Sequence, residues 1–421
     1  MPRWTTSGRG LLRDGVPDFL LADTQWASLH RAEPERFEAL LDLRAAQHFT
    51  GIMMSILPIA HDRSGNLFHP FETDSDGVPD FARLDEGWLD RAEQMVAAVA
   101  QRGLVPVLML VWVDYVPGTW ASLAAPELAM DEAQTLALVD AVVTRLRGYQ
   151  PIWSVSGDDT FTSGDAIARY RAIARRVREL DPDALLTAHT GGWINLPPAV
   201  AELIDLVGYQ SGHDGANWRD NPQQWNRYLA ACAPGMPSAN LEPPYEGHGY
   251  SGGRGRYTDR EVRLASWRSV LTGAGAGLGY GAHGVWPWHH AGDEFSSEGW
   301  SGMPFDVEVA AQFPGASQLA WLRDTAIDLE FWTLVDRADL VVRDASGIVV
   351  GATPDLSRLV IHAPEAFAFE VQVLARDYTV SAYDIVAAEP VEARTHPGES
   401  GMLNIAQPTR FTEHLYVLER R

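Results

Sequence analysis

The chain has 421 residues, of which 46% are hydrophobic and 21% charged, and its formal net charge is -23. That length exceeds what one small core fills and suits a large domain with a smaller companion. The acidic balance excludes nucleic acid as a partner, because phosphate binding needs Lys and Arg, and it favours neutral or small-molecule substrates.

The N-terminal stretch MPRWTTSGRGLLRDGVPDF lacks the apolar segment of a secretory signal, and no uninterrupted apolar run reaches the ~18 residues of a membrane span. The expectation is a cytoplasmic protein with no membrane partner. Cys232, the single cysteine, cannot form an internal disulfide and reads as a buried packing thiol in WNRYLAACA. Most of the 15 Trp and 12 Tyr belong to the core, with several left over to stack against sugar rings.

From about residue 19 to 290, short apolar runs alternate with stretches of helical period. The predicted strands are FLLAD, FTGIMMSIL, LVPVLMLVWV, PIWSVSGD, ALLTAH, LVGYQS, PSANLE and GLGYGAHGVW. Between them lie helices such as PERFEALLDLRAAQH, LDRAEQMVAAVAQRG, EAQTLALVDAVVTRLRG and DAIARYRAIARRVREL, with apolar residues near i, i+3, i+4 and i+7. Eight alternating pairs indicate an α/β fold of the (β/α)8 TIM-barrel type. A doubly wound open sheet would place a glycine-rich turn after its first strand, whereas this chain continues into ADTQWASLH. Further on, Thr258 and Glu261 have the spacing of a helix capping box. After a closing helix the pattern changes to period 2 from about 338, in LVVRDASGIVVGAT, SRLVIHAP, AFEVQVL, YTVSAYDIV and EHLYVLERR, with turns at 344–347 and 354–357. The expected organisation is a catalytic barrel over 1–335 and a C-terminal antiparallel β-sandwich over 336–421.

Active sites of such barrels sit at the C-terminal ends of the strands. Those ends offer Asp23 and Trp26; Ser55, His61 and Asp62; Trp112 and Asp114; Asp158 and Asp159; and His189. The last three strands offer Tyr209, Gln210 and His213; Glu242, Tyr245 and Glu246; and Tyr280, His283 and Trp286. Acids, imidazoles and aromatics at every strand end describe a polar cleft with stacking surfaces, as a carbohydrate site requires. Glycosidic bonds are cleaved by two carboxyl groups facing each other across the sugar. Strands four and seven lie on opposite sides of the mouth, so Asp158 and Glu242 are the predicted pair. Asp159 also has the position of a helix N-cap, and Glu246 that of a loop carboxylate holding a ligand or a structural hydrogen bond. His189 is expected to bind a hydroxyl or to orient a carboxylate. The adjacent His289 and His290, near Asp293 and Glu294, lack the spacing that aims two imidazoles at one ion, so neither metal nor cofactor is expected.

These segments resemble the apiosidase-like glycoside hydrolases. GRGLLRDGVPDFLLADTQWASL is similar to the opening hairpin and Gly-Asp-Thr-x-Trp strand of that family, with Ala22 in place of the glycine. PIWSVSGDD is similar to its Trp-x-x-Gly-Gly-Asp strand, with Ser156 in place of the first glycine. NLEPPYEG and GLGYGAHGVW are similar to its Asn-x-Glu-Pro-x-Tyr-Glu-Gly and Gly-x-x-Tyr-Gly-x-x-Gly-x-Trp segments.

The resemblance covers about residues 8 to 335. It implies a retaining exo-glycosidase acting on a furanoside of the apioside type, with Asp158 as acid/base and Glu242 as nucleophile. Asp23, Trp26, Trp112, Asp159, His189, Tyr209, Gln210, His213, Tyr245, Glu246, Tyr280, His283 and Trp286 are the expected contacts to a small glycoside or oligosaccharide. The rival readings are a glycosidase for another sugar, such as an arabinofuranoside or a hexose glycoside, a carbohydrate-binding barrel without catalysis, and a metal-dependent barrel hydrolase.

Overall fold

The computed structural model describes the chain apart from residues 66, 75–77, 193–194, 214, 251–254, 297–298, 344–346, 366–367, 399 and 407–411, and the side chain of 343. Eight strands close a barrel: β1 (Leu20–Thr24), β2 (Gly51–Ser55), β3 (Val105–Met109), β4 (Ile152–Ser154), β5 (Leu186–His189), β6 (Leu206–Gln210), β7 (Ser238–Glu242) and β8 (Gly277–Tyr280). Every neighbouring pair is parallel, including β8 with β1, which completes the circle. All residues of these strands are buried, the pattern of strands covered by helices outside and by packed side chains within. Each lies on one of the predicted runs. A three-stranded antiparallel sheet over Trp4–Asp18 precedes β1.

The covering helices are α1 (Pro34–Ala46), α2 (Glu86–Gln101), α3 (Glu132–Leu146), α4 (Gly164–Leu180), α5 (Pro198–Ala201), α6 (Asn221–Cys232), α7 (Asp259–Thr272) and α8 (Pro314–Asp328). The starts of α2, α3, α4 and α7 carry side-chain acceptors for the orphan N–H groups of the first turn. Asp85 accepts from Trp88 N–H at 3.0 Å, and Asp131 and Gln134 form a reciprocal box at α3. The predicted box at α7 is present: Glu261 Oε2 accepts from Thr258 N–H at 2.8 Å and the Thr258 hydroxyl accepts from Arg260 N–H at 3.3 Å. Thr258→Ala is therefore expected to cost about 1 kcal/mol in urea unfolding, with no change in KM. Cys232 is corrected: it ends α6 on the surface and is exposed, because the helix turns its last residue outward there.

The C-terminal strands form a six-stranded and a four-stranded antiparallel sheet. The first contains Val349–Ala352, Arg358–Ala363, Tyr378–Asp384 and His414–Arg420; the second contains Ala368–Leu374 and Met402–Ala406. Alternation gives the first sheet two buried faces. Val350, Leu359, Ile361, Tyr416 and Leu418 pack with Phe369, Val371 and Ile405 of the second sheet, while Val349, Val360, Leu415 and Val417 join the barrel core. Strands over Glu389–Val391, Arg394–Pro397 and Met402–Ala406 were not predicted from the pattern. The first two are short, charged, proline-containing edge strands, a composition that blunts pairing and hides the alternation. The predicted turn at 344–347 lies mostly outside the described residues.

A buried ion pair fastens this sandwich to α7. Arg263 donates to Glu413 Oε2 at 2.9 Å and to Oε1 at 2.6 Å, with His362 Nε2 3.7 Å from Oε2. Burial alone would push the Glu413 carboxyl up, but His362 and Arg263 pull it down to about 2.

Candidate active site

The strand ends open into a cleft of about 770 Å³. Of the predicted residues, Trp26, Trp112, Asp158, Gln210, His213, Tyr245 and Trp286 line it. Glu242 and His189 lie immediately beneath, in contact with that lining.

Asp158 follows β4 through Ser156 and Gly157, and its backbone has φ +58. Few L-residues occupy this left-handed region, and Asp is among those that tolerate it; such strain gathers at functional sites. A Cβ on Gly157 would meet the Trp112 ring at 2.1 Å. The small residue thus makes room for a tryptophan of the cleft wall. The Asp158 carboxylate accepts from Gln210 Nε2 through Oδ1.

Glu242 ends β7 with 8% of its surface exposed. His213 Nε2 lies 3.1 Å from Oε1 and His189 Nε2 lies 3.3 Å from Oε2. Burial would raise the Glu242 carboxyl, yet the hydrogen bonds from His189 and His213 outweigh it and draw it down to about 2. Glu242 is thus a carboxylate at neutral pH. The Tyr245 phenol beside it is pushed far the other way, first by burial and then by the Glu242 charge, and stays protonated. Trp26 Nε1–H donates to that phenolic oxygen at 3.0 Å, and the Trp26 and Trp112 rings meet edge to face at 5.1 Å.

Six predicted contacts are corrected. Asp23 is fully buried behind the barrel wall, 3.0 Å from Arg44 Nε of α1. Tyr280, in register with Asp23, points the same way and donates to Glu246 Oε2 at 2.7 Å. Glu246 also accepts from Gly315 N–H of α8 at 3.0 Å, so it braces a helix. Tyr209 faces Ser269 and Asn226 in the helix layer. Successive residues of a barrel strand face opposite sides, and each of these three strand residues falls on the outer one. His283 donates through Nε2 to Gly302 O at 2.8 Å and accepts from Trp286 Nε1–H at 3.0 Å, which steadies Trp286 and keeps the imidazole off the cleft. Asp159 turns inward to accept from Phe161 N–H at 3.2 Å, and the N-cap of α4 is Ser163.

The cleft also contains residues that strand ends do not reveal. Trp120, 41% exposed, overhangs the β3 side, Trp225 reaches the mouth from the first turns of α6, and His248 and Trp300 come from loops that fold back over it. Trp120 opens the short helix Trp120–Ala124 between β3 and α3, beyond the reach of a strand-end reading. His61 carries an additional charge: Asp114 lies 2.9 Å from its Nδ1. Burial would depress this imidazole, but Asp114, Asp158 and Asp62 raise it to about 9, so an imidazolium faces the cleft beside Trp120.

Among the described residues, no group of three His, Cys, Asp or Glu is placed to hold a metal ion, and no helix is long and apolar enough to cross a membrane. The chain is similar to a glycoside hydrolase of known structure at 18% identity and TM-score 0.79, covering 99% of this chain and 96% of that chain. It is equally similar, at 18% identity and TM-score 0.79, to a glycoside hydrolase family 5 protein from Bacteroides vulgatus ATCC 8482, covering 99% and 93%. A glycoside hydrolase family 5 mannosidase from Rhizomucor miehei shares 11% identity over 79% of this chain and 98% of that chain, with TM-score 0.52. These likenesses are in fold. A comparison with curated protein sequences finds no match. Residues 5–333 match the apiosidase-like catalytic domain, so with its paired carboxyl groups in a barrel cleft the chain belongs to the apiosidase-like family and is a glycoside hydrolase.

Proposed function

We propose that the protein is a retaining exo-glycosidase that cleaves a furanoside of the apioside type by double displacement. One observation carries this reading: an acid just after β4 lines the cleft, an acid ending β7 lies immediately beneath it, and the second is held ionised by two imidazoles. Glu242 Oε2 is sealed from solvent, so Oε1 is the oxygen left to attack the anomeric carbon. Asp158, which accepts from Gln210 through Oδ1, gives its proton to the leaving oxygen. Asp158 then takes a proton from water, and the water attacks the glycosyl ester on Glu242 from the face the leaving group vacated. Trp26, Trp112, Tyr245 and Trp286 form the wall against which the sugar ring packs, while Gln210 and His213 offer polar contacts. The furanoside and exo elements of the reading follow from membership of the apiosidase-like family.

The test is a panel of aryl apiosides, arabinofuranosides and hexose glycosides, with the first-formed anomer read by NMR. Apioside turnover with the starting anomeric configuration is expected. Preferred turnover of another sugar would replace the furanoside assignment, and an inverted first product would replace double displacement.

A further inference from the structure

The hydrogen bonds around Glu242 fix the protons on its two neighbours. Asp158 N–H donates to His189 Nδ1 at 3.1 Å, and Tyr245 N–H donates to His213 Nδ1 at 3.4 Å. A ring nitrogen that accepts a backbone N–H carries no proton, so each ring carries its proton on Nε2. Both Nε2 atoms point at Glu242, one at each oxygen. His189 Nε2 and Glu242 Oε2 are both buried and lie 3.3 Å apart.

We propose that His189 and His213 are positioning residues, locked as Nε2–H donors by the loop backbones after β4 and β7, and that His189 sets the spacing between the two catalytic carboxyl groups. His189 is suited to this because one ring touches both: its Nδ1 holds the Asp158 backbone and its Nε2 holds the Glu242 carboxylate. The left-handed turn at Asp158 aims that N–H at the imidazole, which gives the strained residue a structural reason. The groups facing Glu242 are His189 from β5, His213 from the loop after β6 and the Tyr245 phenol from the loop after β7; Asp158 stands across the cleft. His248, stacked on His213 at 4.3 Å, is kept neutral by burial and adds no charge.

The inference rests on Asp158 and Glu242 being the catalytic pair, and two substitutions separate its halves. His189→Asn keeps an acceptor near Nδ1 for Asp158 N–H but removes the donor to Glu242. The acid limb of kcat/KM is then expected to move up by about one pH unit or more, since burial is no longer fully opposed. His189→Gln keeps a donor near Nε2 but releases the Asp158 backbone. The acid limb should stay, while kcat/KM should fall about 10-fold more for poor than for good leaving groups, because acid assistance is what is misplaced. Equal losses in both variants with an unmoved pH profile would overturn the proposal and leave a packing role.

A second measurement does not depend on turnover. In the wild-type protein labelled with 15N-histidine, the rings of His189 and His213, assigned by the signals missing from the His189→Gln and His213→Gln spectra, are expected in the Nε2–H form at about pH 8. An Nδ1–H form at either ring would overturn the proposal. A wild-type protein that turned over no glycoside while showing both Nε2–H rings would instead count against the catalytic reading.

Discussion

Glu242→Ala is expected to lose about 10⁴-fold or more in kcat on every substrate, whereas the loss in Asp158→Ala depends on the leaving group. In the proposed mechanism Glu242 makes the new bond, so no aglycone compensates for its removal, and Asp158 only transfers a proton. An aryl group that departs as a stable phenolate needs little assistance, so the first step of Asp158→Ala should be nearly normal on such substrates and slowed by about 10²- to 10⁴-fold on alkyl or sugar aglycones. The second step has no activated water in this variant, and azide, which needs no base, should restore turnover and yield a glycosyl azide of retained configuration. Azide with Glu242→Ala should instead yield the inverted product, by direct attack in the space the carboxylate leaves. The same leaving-group dependence in both variants, or a retained azide from Glu242→Ala, would exchange or remove the assigned roles. Stopped-flow kinetics and NMR of the azide products distinguish these outcomes.

How much of this could be seen in the sequence differs between scaffold and site. The eight barrel strands were legible because runs such as LVPVLMLVWV are apolar on both faces and are separated by helices of clear period. The two acids proposed as the catalytic pair could be picked out because strand order fixes which ends oppose one another across the mouth. What could not be read was the side of the wall on which a strand-end polar residue falls. Asp23, Tyr209 and Tyr280 look like cleft residues because an acid or a phenol at a strand end is compatible with either face. They lie outside because α1 supplies Arg44, α6 and α7 supply Asn226 and Ser269, and Glu246 reaches the Tyr280 hydroxyl. Residues beyond the strand ends, such as Trp120, His248 and Trp300, were hidden for a different reason: they reach the site by chain folding that no local period records. The pairing of His189 and His213 on one carboxylate was likewise invisible, since it depends on which ring nitrogen each backbone N–H meets.

Asp23→Asn is expected to destabilise the protein by about 3 to 5 kcal/mol while leaving KM unchanged, the reverse of what a sugar-binding acid would show. Arg44 is fully buried, held between Phe49 and Tyr280, and Asp23 is its carboxylate partner there. Removing the acid leaves a guanidinium that cannot lose its proton, so the cost is the same at every working pH. Arg44→Met strands the other partner and should behave differently. Burial already raises the Asp23 carboxyl despite Arg44 and Gln25, and it rises further without the guanidinium. A carboxyl whose folded value lies above its unfolded value costs stability at high pH, and the penalty fades as pH falls and the buried group takes up a proton. Arg44→Met should therefore recover much of its deficit between about pH 8 and pH 5, and Asp23→Asn should not. Replacing both partners by Leu and Met removes both desolvation costs and should be less destabilising than either single change. Urea unfolding of the four proteins at two pH values tests this. A deficit in Asp23→Asn confined to KM would return Asp23 to the sugar site.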